Sequence, residues 1–401
     1  MEKINVRIIK SDFMKDGKFD KEESIKFGGR LAGICYNKDS FDKLEQESLE
    51  KTNRRVDLTI NNGHHSVYDH DHITLYIENI PKVLAMVLNN EKVYTTSEKS
   101  ARYTPIVKDE EVVQNKDSII TDKEVSLYNK WMDIFKVKIK EQYGDIFDDK
   151  KIEKLAQENA RYLVTVFMPT QMAYTTSLRQ FNYLASWLLD YSINQNGSYL
   201  EKNLSEAIDM FLSELEELNI LDERLMKNEK NRKISLFETN LKNKKNTFTE
   251  DNYSVNYTGS WAYLAQAQRH RTLSYRMERL DNPDYFIPPI LKSDMNLVYN
   301  WLYDIKSVSS VIPQGQLIRI NERGNYEDFI LKCEERLCSA AQLEIFRITR
   351  GILLQYKQEL ININSDLQDE IHAYTKGCRC SFGYECKTPC KAKIRNLDRK
   401  I

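Results

Sequence analysis

The chain lacks most of what would classify it quickly. Only 8 of its 401 residues are proline while 23 are tyrosine, which suits packed elements and excludes a largely disordered chain. No apolar run approaches the roughly 20 residues that span a bilayer. The opening Met1-Glu-Lys-Ile-Asn also lacks the apolar core of a signal peptide. A cytoplasmic protein without membrane contact is therefore expected. Lys+Arg 59 all but cancel Asp+Glu 60, so no global charge draws the chain to nucleic acid and any anion site has to be local. Of seven cysteines, four lie between Cys378 and Cys390, which argues for thiols or metal ligands over structural disulfides. The length exceeds that of a usual single domain and favours two domains or a duplicated unit.

The densest chemistry is Gln266-Ala-Gln-Arg-His-Arg-Thr-Leu-Ser274. Trp261-Ala-Tyr-Leu-Ala265 before it is apolar and helix-forming, so Arg269, His270 and Arg271 fall where a helix should end. Cations at a helix C-terminus gain about 0.3–1 kcal/mol; the bland reading is a capped helix with a satisfied core histidine. A second histidine-rich stretch, Gly63-His-His-Ser-Val-Tyr-Asp-His-Asp-His72, holds four of the six histidines. It has neither an HExxH arrangement nor a nearby cysteine, so polar contacts are expected there in preference to zinc.

Read in order, Ile4–Ile9 resembles a strand and Glu22–Cys35 a helix, whose adjacent Gly28 and Gly29 imply close backbone approach. Ile73–Glu78 reads as a strand, Lys82–Leu88 as a short apolar helix ending in Asn89-Asn-Glu-Lys92, and Tyr94–Tyr103 as a hydroxyl-rich loop. Helices are expected over 122–145, 151–168, 177–192 and 200–221. The polar, basic stretch 222–250 reads as a linker or surface excursion. Beyond it come a strand at Tyr253–Tyr257, a turn at Thr258-Gly259, Ser260 as an N-cap, and a helix ending at Arg269. A last long helix is expected from Tyr326 to Leu360. The second half thus repeats the strand–turn–helix–polar-loop order of residues 73–103. Asn90-Glu91-Lys92 aligns with Arg269-His270-Arg271 without a gap through the helices, although the strand alternation falls out of phase.

Gln266-x-x-Arg-His-Arg-x-x-Ser274, followed by Asn321-x-Arg323 and Arg336-x4-Ala-Gln-x-Glu-Ile345, resembles the flavin-dependent (ThyX-type) thymidylate synthases. The first half carries the family's other signatures: Gly63 to His70, then Ser100-x-Arg102-Tyr103, then Glu158-x-Ala-Arg161. Neither half is complete. The first has Asn90-Glu91-Lys92 in place of Arg-His-Arg; the second has Arg279 and Asp281 in place of the loop serine and arginine. The losses are complementary.

The resemblance implies an α+β fold of two ThyX-like units in tandem, each a small sheet packed with long helices. The expected divisions are 1–221, a linker at 222–250, a second unit at 251–365, and a cysteine-bearing tail at 366–401. It implies a thymidylate synthase converting dUMP to dTMP with FAD, methylenetetrahydrofolate and NADPH, at a composite site drawn from both halves. Gln266, Arg269, Ser100, Arg102 and Arg161 would bind dUMP. His270, Arg271, Asn321, Arg323 and His70 would hold FAD. Arg336 would be catalytic, pairing with the uracil edge and favouring its N3-deprotonated form. A homodimer imitating the family's homotetramer is expected. Cys378, Cys380, Cys386 and Cys390 resemble a structural zinc site, with free thiols as the alternative. Two rival functions remain: a related flavin- and folate-dependent enzyme such as a dUMP hydroxymethylase, and a catalytically dead FAD- or nucleotide-binding homologue. RNA binding through Arg269–Arg271 and 227–246 lacks a strongly basic balance.

Overall fold

A computed structural model of the chain describes residues 1–36, 38, 40–100, 119–195, 197–227, 232–386 and 397–401. The fold mixes helix and sheet, as expected, in two compact units. One comprises Met1–Lys99 with Pro169–Ile234, the other Ser100–Met168 with Ser235–Ile401.

In the first unit, strand β1 (Asn5–Lys10) precedes helices α1 (Lys21–Tyr36) and α2 (Leu49–Asn61). Strand β2 (His72–Pro81), helix α3 (Lys82–Leu88) and strand β3 (Thr95–Glu98) follow. Gly28 and Gly29 meet their expected role: a Cβ at either would strike Tyr68 or Val56. The chain next gives α4 (Asp122–Tyr143) and α5 (Asp149–Ala160) to the second unit. It then supplies β4 (Pro169–Ser177), α6 (Leu178–Ile193) and α7 (Tyr199–Glu217) to the first. All seven residues of α3 are buried, so its apolar sequence is a core element.

The second unit adds β5 (Thr247–Phe248), β6 (Asn252–Ser260), α8 (Trp261–Ala267), β7 (Ser274–Arg279) and α9 (Met295–Lys306). It ends with β8 (Leu317–Asn325), α10 (Tyr326–Arg336), α11 (Leu343–Asn362) and α12 (Leu367–Tyr374). Thr258 and Gly259, expected as a turn, continue β6 and pair with Arg319 and Ile318. The long helix expected from Tyr326 to Leu360 is broken between Arg336 and Leu343. Residues 100–168 belong to this unit by their packing. Tyr128, Trp131, Phe135 and Ile139 of α4 recur at helical spacing and share a core with Trp301 and Ile305 of α9. Trp131 and Trp301 meet edge-to-face at 4.9 Å, and Trp131 Nε1 donates to Asp304 at 2.8 Å. The polar stretch also contributes here, since Leu236 and Leu241 are fully buried.

The two four-stranded sheets have the same order, β1-β2-β4-β3 and β5-β6-β8-β7. Their registers also correspond. His72 faces Ser177 as Asn252 faces Asn325, Pro81 faces Pro169 as Ser260 faces Leu317, and Thr95 faces Thr175 as Ser274 faces Arg323. β2 and β6 each run into a seven-residue helix, α3 and α8 respectively. The phase mismatch has a local cause: β2 carries an irregularity between Ile77 and Ile80, with Asn79 at φ 57°. One extra residue in a strand reverses the alternation beyond it.

Candidate functional site

Ser260 ends β6 and caps α8, its Oγ accepting from Tyr263 N at 3.0 Å. Ser260 also donates to buried Glu344 twice, from N at 2.8 Å and from Oγ at 2.6 Å. Tyr162 OH donates to the same carboxylate at 2.8 Å, while Gln342 Nε2 donates to Tyr162 OH. Arg161 Nη2 donates to Gln342 Oε1 at 2.5 Å, which closes a chain of polar side chains running from Arg161 to Ser260. Burial raises Glu344 above the usual carboxylate range, against the pull of Ser260 and Tyr162.

Two short backbone runs hold Arg161 and Tyr162 in place. Gly315 N donates to Tyr162 O and Gln314 N to Val164 O, both at 2.8 Å. A Cβ on Gly315 would meet Tyr162 backbone and side chain at about 3 Å. Ile312, beside this run, is a β-branched residue at φ 55°, a conformation held only where packing dictates it. Residues some 180 positions apart thus form one buried network.

Gln266, Arg269 and His270 lie where α8 ends, on a turn closed by Arg269 N to Gln266 O at 3.3 Å and His270 N to Ala267 O at 3.0 Å. Gln266 is buried and its Oε1 has no hydrogen-bond partner. His270 is buried too. Burial first, then the Arg336 and Lys332 charges, push its pKa down to about 2. Its Nε2 lies 3.2 Å from Glu335 without hydrogen-bond alignment, and the neutral ring makes this no ion pair. Arg336, at the end of α10, is therefore near this loop. Arg271 is exposed.

Asn321 and Arg323 alternate along β8 on one face of the sheet. Arg276 is paired with Asn321, and Ser274 and Ser254 with Arg323, on the neighbouring strands. Asn321 Nδ2 is already engaged, with Ser254 Oγ at 3.0 Å and Asn256 Oδ1 at 3.1 Å, whereas Arg323 is exposed. The opposite face carries a pair that sequence reading missed. Lys332 Nζ lies 2.6 Å from Glu322 Oε2, both fully buried, and Tyr253 and Tyr257 donate to the carboxylate at 2.7 and 2.6 Å. Only the alternation of β8, which turns Glu322 inward between Asn321 and Arg323, could have revealed it.

Residues 20–196 match the family model described as thymidylate synthase complementing protein. The resemblance to the ThyX family stands. A flavin-dependent thymidylate synthase from Pyrococcus furiosus is 26% identical over 152 residues, 37% of this chain and 57% of that protein. The chain therefore aligns with little more than half the length of this curated relative. A thymidylate synthase X from Helicobacter pylori, solved with FAD and dUMP, superposes with TM-score 0.32 at 15% identity over 56% of this chain and all of its own. A UMP/dUMP methylase from Streptomyces cacaoi bound with 5-Br dUMP gives TM-score 0.32 at 15% identity, over 56% of this chain and 92% of its own.

The ThyX-family match ends before Arg269-His270-Arg271; it covers the half that has Asn90-Glu91-Lys92 in their place. Of the ThyX-like residues in that half, Arg161 joins the network above. Ser100 opens the second unit's share of the chain, and Arg102 lies outside the described residues. His70 is in the first unit and exposed. His65, its buried neighbour, is fixed by Tyr183 OH at 3.0 Å and Ile60 O at 3.1 Å, as a structural histidine is. Cys378 is buried, Cys380 intermediate and Cys386 exposed, and Cys390 lies outside the described residues. Among the described residues no cluster of three His, Cys, Asp or Glu could hold a metal ion, and no helix is long and apolar enough to cross a membrane.

Proposed function

We propose that the chain is a tandem ThyX-type enzyme methylating dUMP to dTMP with FAD, methylenetetrahydrofolate and NADPH, its working site gathered around the second unit's Arg-His-Arg. One observation carries this reading: Arg161, from the first-half Glu-x-Ala-Arg motif, bonds Gln342 of the second-half Ala-Gln-x-Glu-Ile motif. Parts missing from each half are thereby supplied within one unit. The identical strand order and register of the two sheets supports a duplication behind it.

In this reading Arg161, Arg269, Ser100 and Arg102 bind the nucleotide phosphate, for which planar guanidiniums give charge-assisted, paired bonds. Gln342 orients Arg161, and Gln266 offers its unpartnered carbonyl oxygen to a donor on the nucleotide. Arg336 faces the uracil edge and stabilises negative charge at N3. Exposed Arg271 and Arg323 suit an anionic dinucleotide. Asn321, whose amide is engaged, and neutral His270 position the strand and loop that carry those arginines. Bound FAD supplies the hydride chemistry. A homodimer would reproduce the family's four-unit assembly. A structural metal on the cysteine tail would need Cys390.

The purified protein is expected to be yellow, dUMP should perturb its flavin spectrum, and dTMP should form from dUMP, methylenetetrahydrofolate and NADPH. Arg269→Ala and Ser100→Ala should each weaken dUMP binding at least a hundredfold, whereas exposed Arg279→Ala should leave it within twofold. A colourless protein that takes up no FAD would refute the reading. A yellow one that makes no dTMP would leave either the hydroxymethylase or the inactive homologue.

A further inference from the structure

The break between α10 and α11 carries Arg336 on one side and Gln342 on the other. Gln342 stands at the N-cap of α11 but makes no capping bond with its side chain. That side chain is engaged elsewhere, with Arg161 Nη2 at 2.5 Å and with Tyr162 OH. A helix start that its cap residue does not fix depends on the backbone leading into it. Here that backbone is residues 337–341.

The cysteine-bearing tail holds this stretch. Arg379 N donates to Leu337 O at 2.7 Å. Arg399 Nη1 donates to Ser339 O at 2.9 Å and its Nη2 to Ala341 O at 2.7 Å. Alternate carbonyls of the break, at 337, 339 and 341, are thus taken by tail residues. The planar fork of Arg399 suits two such acceptors at once, and its charge strengthens both bonds. Arg399 is itself fixed. It is 5% exposed, its Cζ lies 5.1 Å from the Phe346 ring centroid, and its carbonyl accepts from Arg347 Nη2 at 3.1 Å. Lys400 N donates to Tyr143 OH at 2.9 Å, and Ile401 is buried in the core that α4 shares.

We propose that Arg399 is a positioning residue for the nucleotide, clamping the break so that Arg336 and the Gln342–Arg161 pair stand in register. The proposal rests on the ThyX-type reading above, in which Arg161 and Arg336 meet dUMP. Arg399 acts only through the carbonyls of Ser339 and Ala341 and through Phe346 on α11. A misplacement of about 1 Å in positioning groups can cost on the order of a hundredfold, so a clamp remote from the ligand can still govern it. The tail is then part of the frame of the site.

The test compares the full native chain with Arg399→Ala and Arg399→Lys, by calorimetric titration with dUMP and by amide hydrogen exchange across 337–346. Arg399→Ala should weaken dUMP binding at least tenfold and speed exchange in the break, while the amides of β6 and β8 keep their protection. Guanidinium chloride, well below denaturing concentrations, should restore much of that affinity by refilling the fork, and equal sodium chloride should not. Arg399→Lys, which keeps a cation over Phe346 but loses the fork, should fall between. If Arg399→Ala does not fold, Arg399→Lys decides: severalfold weaker binding at a native unfolding midpoint supports the clamp, and native affinity overturns it. Native affinity in a folded Arg399→Ala overturns it too, as does a loss that neither guanidinium nor lysine relieves. A native chain that binds no dUMP would refute the ThyX-type reading and the positioning role with it, whereas native binding matched by Arg399→Ala refutes the positioning role alone.

Discussion

Glu91 and His270 occupy the same step beyond equivalent helices of two sheets with one topology, and both are buried, at 0% and 4% exposure. They meet burial in opposite ways. Glu91 recruits Arg232 from a distant part of the chain, whereas His270 gives up its charge in the field of Arg336 and Lys332. The frame therefore fixes that this position is buried, and the local sequence decides whether it is ionic or neutral. A neutral centre needs no counter-ion from elsewhere in the chain. An acidic centre ties its own arginine into the wall of a cleft.

The sharpest break in the comparison lies one strand away. Glu322 and Lys332 correspond by register to Tyr174 and Leu184 in the first unit, so one sheet buries an ion pair where its counterpart buries apolar bulk. Removing one partner strands a buried charge. Lys332→Met is expected to destabilise the second unit by about 3–5 kcal/mol, measured by denaturant unfolding. A loss below about 1 kcal/mol would mean that the tyrosine hydroxyls alone satisfy Glu322. Arg232→Met is the matching change in the first unit. Because Arg232 is 44% exposed, water can partly replace it, and a smaller loss of about 2 kcal/mol is expected. Equal losses from the two substitutions would erase the distinction between the units.

Much of the fold was legible because periodicity and capping are local. The apolar run Lys82–Leu88 is helix α3 to the residue, and Ser260 caps α8 as its type suggests. The failures were tertiary. Nothing local tells that α4 packs on Trp301, which lies 170 residues further along the chain, or that a bulge at Asn79 shifts the phase of β2. The break after Arg336 is not legible because 326–360 is helical in pattern; Gln342, at its far end, bonds Arg161. For the site, Arg-His-Arg was readable as a motif, but the burial that keeps its histidine neutral was not. Arg179 sits in Ser177-Leu-Arg179, the first half's counterpart of the later Asn321-x-Arg323 section, but nothing in the sequence brings Arg232 to the same first-unit cleft.

The smallest effect tests the neutral centre itself. The folded-state pKa of His270 lies below its unfolded value of about 6.5, so the unfolded chain binds a proton that the folded chain refuses. The stability this histidine allows is complete above pH 6.5 and is lost as pH falls toward 2. A slope of about 1.4 kcal/mol per pH unit follows from one such group. His270→Gln carries no titrating ring, and Glu344, which shifts in the opposite sense, is present in both proteins and drops out of the difference. Relative to its own value at pH 7.5, the native chain should therefore lose about 1.4 kcal/mol more than His270→Gln at pH 5.5, by denaturant unfolding at each pH. Parallel acid profiles would place a charged histidine in the folded loop. Glu335, 3.2 Å away, would then be its counter-ion, and the opposition between Glu91 and His270 would reduce to two buried ion pairs of reversed sign.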